Sequence, residues 1–159
     1  MFDSKIDNEK IKQLLTSAKT IAMVGISSIK EKETTTVIRR PSIIVMKYLQ
    51  EFGYRVIPVN PFSAGEIIHG ETIVAKLNDI KLPVDIVDVF RPSKEAPKIA
   101  EESIKVGAKV FWLQYGIRND EAKKIVEAKN IFYVSNKCIK QEYQRLFLKV
   151  NPVFPALKN

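Results

Sequence analysis

Five short apolar runs, separated by segments with helical spacing, restrict this chain to one kind of architecture. The first is the stretch Thr20 to Ser28, TIAMVGISS, which opens into Gly25-Ile26-Ser27-Ser28. The others are Arg55 to Asn60, Asp85 to Phe90, Lys109 to Gln114 and Ile131 to Val134. An apolar run of this length, closed by turn-forming or polar residues, reads as a strand buried on both faces. Strands that alternate with helices through short loops imply a parallel sheet covered on both sides, with right-handed connections. The expected fold is therefore α/β: a three-layer Rossmann-like domain with a five-stranded parallel sheet.

The helical segments fit between the strands. Asp7 to Ala18 brings Ile11, Leu14, Leu15 and Ala18 to one face, with Asp7 placed to cap the start. Pro41 suits a helix start, Ile44, Val45, Tyr48, Leu49 and Phe52 follow at helical spacing, and Gly53 ends the run. Pro58 inside the second strand weakens it or marks a bulge. Ser63 to Thr72, with Gly65 and Gly70, reads as a turn-rich connection, and Ile73 to Ile80 as a short helix or an irregular segment. Ser93 is placed to cap a third helix that turns Ala96, Ile99, Ala100 and Ser103 inward. Asn119 caps a fourth, and Asn136 is expected to cap the last, with Ile139, Tyr143, Leu146, Phe147 and Val150 inward. Ile29 to Arg39 follows neither period and reads as a loop. The chain divides into an N-terminal helix over 1–19, the Rossmann-like domain over 20–150 and a tail over 151–159.

Composition narrows the function classes. The chain has 159 residues, 45% hydrophobic and 28% charged, which is ordinary for one globular domain. No apolar run is long enough to span a bilayer, and the polar start MFDSKIDNEK does not resemble a secretory signal. The single Cys138 permits no internal disulfide, which suits the cytoplasm. A net charge of +8 raises the question of nucleic acid. The 26 basic residues are dispersed, with Arg39-Arg40 and Lys123-Lys124 the only adjacent pairs, so a solvated surface is the better account. Such a surface also attracts small anions.

Four strand exits should share one edge of the sheet: Gly25-Ile26-Ser27-Ser28, Asn60-Pro61, Phe90-Arg91-Pro92 and Gln114-Tyr115-Gly116. Ligands of open α/β sheets sit beyond such ends. Backbone N–H groups, hydroxyls, an amide and a guanidinium suit phosphate oxygens, and Arg40 precedes a helix N-terminus, so a nucleotide-containing anion is expected there. An ordinary NAD site fits poorly. The GxGxxG glycines after Gly25 are replaced by Ser27 and Lys30, and the second strand ends in Val59-Asn60 rather than an acid. NADP stays open.

Catalytic candidates are few. His69 stands alone in a turn-rich loop, and Cys138 beside Ile139 reads as an inert, packed thiol. Asp85 and Asp88, three apart on a strand, face opposite sides and suit structural hydrogen bonds. Trp112 suits the core. No nucleophile–base–acid set and no metal spacing can be assembled.

VGISS, the RPS triplet with VMKYLQEFGYRVIPVNP, VDIVDVFR, AKVFWLQYG and NKCIKQEY occur here in order. In this combination the chain resembles the small coenzyme A-binding domain proteins, which are similar to the N-terminal domain of the succinyl-coenzyme A synthetase alpha subunit. The resemblance runs from Ile21 to Leu146. It implies that Gly25, Ile26, Ser27 and Ser28 approach the phosphate and ribose of coenzyme A, and that Arg40 pairs with a phosphate. Val59, Asn60 and Pro61 would border the adenosine, Phe90 and Arg91 would flank the nucleotide, and Gln114 would lie near the departing pantetheine. The chain departs from the family pattern at Ile29 to Arg39, which looks like an insertion before the RPS triplet.

The expectation is a cytoplasmic protein that binds coenzyme A or an acyl-coenzyme A without catalysis of its own, as a homodimer or beside a ligase partner subunit. The alternatives are an NADP-type oxidoreductase domain and a subunit of an ADP-forming acyl-coenzyme A synthetase. No nucleic-acid or membrane partner is expected.

Overall fold

The computed structural model describes residues 4–27 and 41–149. Seven strands occur in it: β1 (Thr20–Val24), β2 (Arg55–Val59), β3 (Ile67–Ile68), β4 (Glu71–Thr72), β5 (Ile86–Val89), β6 (Val110–Leu113) and β7 (Phe132–Val134). Five helices accompany them: α1 (Ser4–Ser17), α2 (Pro41–Glu51), α3 (Ala96–Lys105), α4 (Asp120–Glu127) and α5 (Ile139–Phe147). The main sheet has five strands in the order β2-β1-β5-β6-β7, all parallel. The α/β Rossmann-like fold expected from the apolar runs is the fold observed.

β1, β5 and β6 are buried along their whole length, because helices cover both faces of the sheet. On one face Ile21, Met23, Ile86, Val110 and Trp112 pack against Ile11 and Leu15 of α1, Val45, Met46 and Leu49 of α2, and Ile139 and Leu146 of α5. On the other face Ala22, Val24, Val87, Val89, Phe111 and Leu113 meet Ala96, Ile99 and Ala100 of α3 and Ala122 and Val126 of α4. Burying one large apolar side chain contributes about 1.5–3 kcal/mol, so two such layers anchor the sheet firmly. Trp112 is wholly buried, and its indole N–H donates to the Lys137 carbonyl at 2.7 Å.

Several local expectations need correction. Pro58 neither breaks β2 nor bulges it. β2 is an edge strand, and the Pro58 carbonyl points outward to accept from the Val74 N–H at 3.0 Å. The absent proline N–H therefore faces the open edge, where no ladder bond is lost. The turn-rich connection holds a small antiparallel hairpin, β3–β4, whose turn residues His69 and Gly70 have φ of 48° and 81°. That pair of left-handed residues matches the twist of a two-residue hairpin turn. Asp7 lies inside α1 rather than at its cap. Asn136 does not cap α5. Cys138 occupies that position, while Asn136 itself is left-handed (φ 59°) and its side-chain oxygen accepts from the Gly116 N–H at 2.7 Å. Asn119 does cap α4, accepting from the Ala122 N–H at 2.8 Å.

Asp85 and Asp88 part company. Burial alone would raise the Asp85 carboxyl, but the Lys19 and Thr20 amides at 2.8 and 3.0 Å and the Lys109 ammonium outweigh it and hold it below its ordinary range. Asp88 is fully buried beside Met23 and Trp112, and neither carboxyl oxygen has a hydrogen-bond partner among the described residues. Burial pushes it well above the ordinary value, which favours the neutral form. Among the described residues the structural hydrogen bond expected of Asp88 is absent.

A candidate anion cleft at the strand ends

The chain leaves β1 toward β2 on one side and reaches β5 on the other, so β1 and β5 flank the point where strand order reverses. At that point open α/β sheets form a crevice beyond their strand ends. Here it is a cleft of about 850 Å³. Its floor is apolar, made by Val24, Val59, Leu77 and Ile99 at the ends of β1 and β2, the turn after β4 and the inner face of α3.

Asn60 binds the rim together. Its backbone N–H donates to the Val74 carbonyl at 2.9 Å, and its side-chain amide donates to the Ile26 carbonyl at 2.7 Å. Its side-chain oxygen accepts from the Phe62 N–H at 2.8 Å. The loop after β1 is thereby tied to the loop after β2. The Gly25 N–H donates to the Val59 carbonyl at 2.9 Å and strengthens the same join. Ile26 is buried, and Phe62 beyond Pro61 stands 92% exposed over the cleft mouth. The Ser27 N–H donates to the hydroxyl of Ser42, which is buried in the first turn of α2, at 3.0 Å.

β5 supplies the opposite wall. The Phe90 N–H donates to the Val24 carbonyl at 2.8 Å, which places Arg91 directly beside Gly25. Gly25 has φ of 95°, and a Cβ built on it would lie 2.7 Å from Arg91 Cδ and 2.9 Å from the Phe90 carbonyl oxygen. Only a residue without a side chain admits both that backbone angle and that approach. The Arg91 guanidinium makes two bonds to Glu95, Nε to Oε1 at 3.0 Å and a terminal nitrogen to Oε2 at 2.7 Å. The hydrogen bonds from Arg91 hold the Glu95 carboxyl below its ordinary range. Lys76, Lys94 and Lys98 also line the cleft, and Glu102 is its other acid. Four cations against two carboxylates over an apolar floor make a site for an anion with an apolar portion.

Five of the residues expected at the ligand line this cleft: Gly25, Val59, Asn60, Pro61 and Arg91. Ile26 and Ser27 lie behind the rim and act through their hydrogen bonds. Phe90 packs toward the α1/α2/α5 face. Gln114 is buried away from the cleft, and its side-chain oxygen accepts from the Ile139 N–H at 3.2 Å. Ser28, Arg40 and the insertion Ile29 to Arg39 lie outside the described residues. Lys76, Lys94, Glu95, Lys98 and Glu102 did not emerge from the sequence as site residues. A signal for some of them was present: Glu95, Lys98 and Glu102 follow one another at helical spacing from the start of α3.

The cleft lining contains no Ser, Cys or His among the described residues. His69 is exposed on the hairpin turn, and Cys138 is a half-buried free thiol before α5. Among the described residues no cluster of three or more His, Cys, Asp or Glu could hold a metal, and no helix is long and apolar enough to cross a membrane.

Among solved structures, cell-free ID.343 from Thermus thermophilus is 39% identical, with a TM-score of 0.79 over 88% of this chain and 98% of that one. A hypothetical protein from Pyrococcus horikoshii OT3 is 38% identical, with a TM-score of 0.76 over 87% and 91%. The dinucleotide forming acetyl-coenzyme A synthetase 1 of Ca. Korarchaeum cryptofilum shares the fold at 21% identity and a TM-score of 0.59, over 74% of this chain and 26% of that one. The uncharacterized protein YneT of Bacillus subtilis is 39% identical over 131 residues, 82% of this chain and 90% of its own length. The family model described as CoA binding domain matches residues 19–144.

Proposed function

Because the chain belongs to the CoA-binding domain family, we propose that it binds coenzyme A or an acyl-coenzyme A in the strand-end cleft and has no catalysis of its own. The observation that carries this reading is the pairing of an apolar floor with Arg91, Lys76, Lys94 and Lys98 at the switch point of the sheet. Coenzyme A joins several phosphates to a base and a long, weakly polar arm, and a cleft with both characters suits it. In this reading Arg91 takes a phosphate, Asn60 and Pro61 border the adenosine, and Phe62 covers it at the rim. Gly25 lets the ligand approach the backbone. Ile26 and Ser27 hold the loop in place, and Phe90 and Gln114 are supporting residues.

The Asn60 side chain is spent on Ile26 and Phe62. No acid stands at the end of β2 to take the ribose hydroxyls of NAD, which disfavours that dinucleotide. The test is a thermal shift series with coenzyme A, NADP, NAD and ATP, since a ligand raises the midpoint only through binding the folded state. Coenzyme A should raise it most, and Arg91→Ala should remove most of the rise. Stabilisation by NADP without stabilisation by coenzyme A would replace this reading with the oxidoreductase one.

A further inference from the structure

Among the described residues, Arg91 is the cleft cation held in an ion pair, and its partner also belongs to the cleft. An exposed ion pair between residues four apart is usually incidental. This one differs in three respects. The Arg91 stem lies against the backbone of Gly25, which places the base of the side chain at the cleft wall. The grip is two-pointed, at 3.0 and 2.7 Å, which is how a guanidinium holds a phosphate. And although Glu95 occupies the cap position of α3, its side chain makes no capping bond, so the helix start does not need the carboxylate.

We propose that Glu95 is a built-in competitor for Arg91: its carboxylate sits where a ligand phosphate must go, and the ligand binds by displacing it. This rests on the coenzyme A reading and deepens it by restricting the ligand class. A ligand with a single phosphate exchanges one anion for another and gains little, because the displaced carboxylate stays nearby. A ligand with two or more phosphates also reaches Lys76, Lys94 or Lys98, which form no ion pair with a described acid, although the last two act on Glu95 at longer range. The cleft therefore selects multiply phosphorylated ligands and is poorly occupied by inorganic phosphate.

Calorimetric titration of wild type, Glu95→Gln, Arg91→Ala and the double variant tests this, with coenzyme A, adenosine 3′,5′-bisphosphate, pyrophosphate and adenosine as probes. Glu95→Gln should bind the phosphorylated probes about three- to fivefold more tightly, as loss of an exposed competing pair implies, and adenosine no better. Glu95→Ala should act in the same direction. In the Arg91→Ala background the gain should vanish. If wild type binds coenzyme A and Glu95→Gln binds it no more tightly, the competitor role is overturned and the coenzyme A reading stands. If coenzyme A binds neither, that reading falls, and pyrophosphate decides the competitor role by the same comparison. A gain that persists without Arg91 would mean general repulsion and would also overturn it.

Discussion

The stem of Arg91 lies across Gly25 so closely that a Cβ on the glycine would stand 2.7 Å from Arg91 Cδ and 3.0 Å from Cγ. The two residues lie just past the ends of neighbouring strands, β1 and β5, on either side of the cleft's origin. Gly25→Ala meets both the strained φ of 95° and this contact. It should cost about 2 kcal/mol in urea unfolding, and it should weaken coenzyme A binding by moving Arg91. Unchanged stability would mean that the loop relaxes without cost.

Asn60→Ala removes the side-chain bond to Ile26 that joins the loops after β1 and β2, and the bond from the Phe62 N–H that shapes the second of them. An expected loss of about 1–2 kcal/mol follows from leaving the Ile26 carbonyl and the Phe62 N–H without these partners. Amide exchange at Phe62 should quicken more than exchange in β1. Equal exchange at Phe62 in the variant and wild type would remove Asn60 from this role.

Asp88 makes stability depend on pH with a definite sign. Its folded pKa is raised well above the ordinary aspartate value of 3.8, so the folded state holds the proton more tightly than the unfolded chain. The contribution is complete below the unfolded value and is lost as pH rises toward the folded one. Across that window wild type should lose about 1.4 kcal/mol per pH unit relative to Asp88→Asn. Urea midpoints for the two proteins should converge in acid and separate as pH rises. Parallel curves would show that Asp88 ionises normally.

Asp85 has the opposite sign. Its folded pKa is lowered by the Lys19 and Thr20 amides and by Lys109, against the effect of burial. The stability it contributes is present above the ordinary value of 3.8 and is lost as pH falls through the folded one. Both amides donate to one oxygen, Oδ2, which asparagine can supply, so Asp85→Asn removes the charge behind those bonds and the Lys109 ion pair at Oδ1, and should cost about 1 kcal/mol at neutral pH. The difference from wild type should shrink in acid, as followed by thermal melts.

The sheet was readable because each core strand is a compact apolar run and each helix after β5 carries an amphipathic period. Ala96, Ile99, Ala100 and Ser103 turn inward as their spacing requires. The β3–β4 hairpin was not readable, since two-residue strands are too short to show a period. Asn136 misled because asparagine serves both as a helix cap and as a left-handed turn residue, and only the Gly116 contact separates the two. Asp88 carries no local sign that its oxygens lack partners, because that depends on what packs over the strand. The cleft was half legible. Strand exits marked its upper rim, while its charged wall belongs to α3 and the turn before it, where Lys94, Glu95 and Lys98 look like ordinary solvent-facing residues until the helix is placed beside β1.

The strand order also governs how the chain must assemble during synthesis. β1 emerges first, yet it lies inside the sheet, between β2 and β5. When β2 has been made, one flank of β1 is closed; the other, buried along its length in the finished protein, waits for residues beyond Pro83. Until then the nascent chain presents an unpaired apolar strand, the kind of edge that recruits foreign partners. The reversal that opens a binding crevice in the mature domain thus also creates its most vulnerable moment on the ribosome.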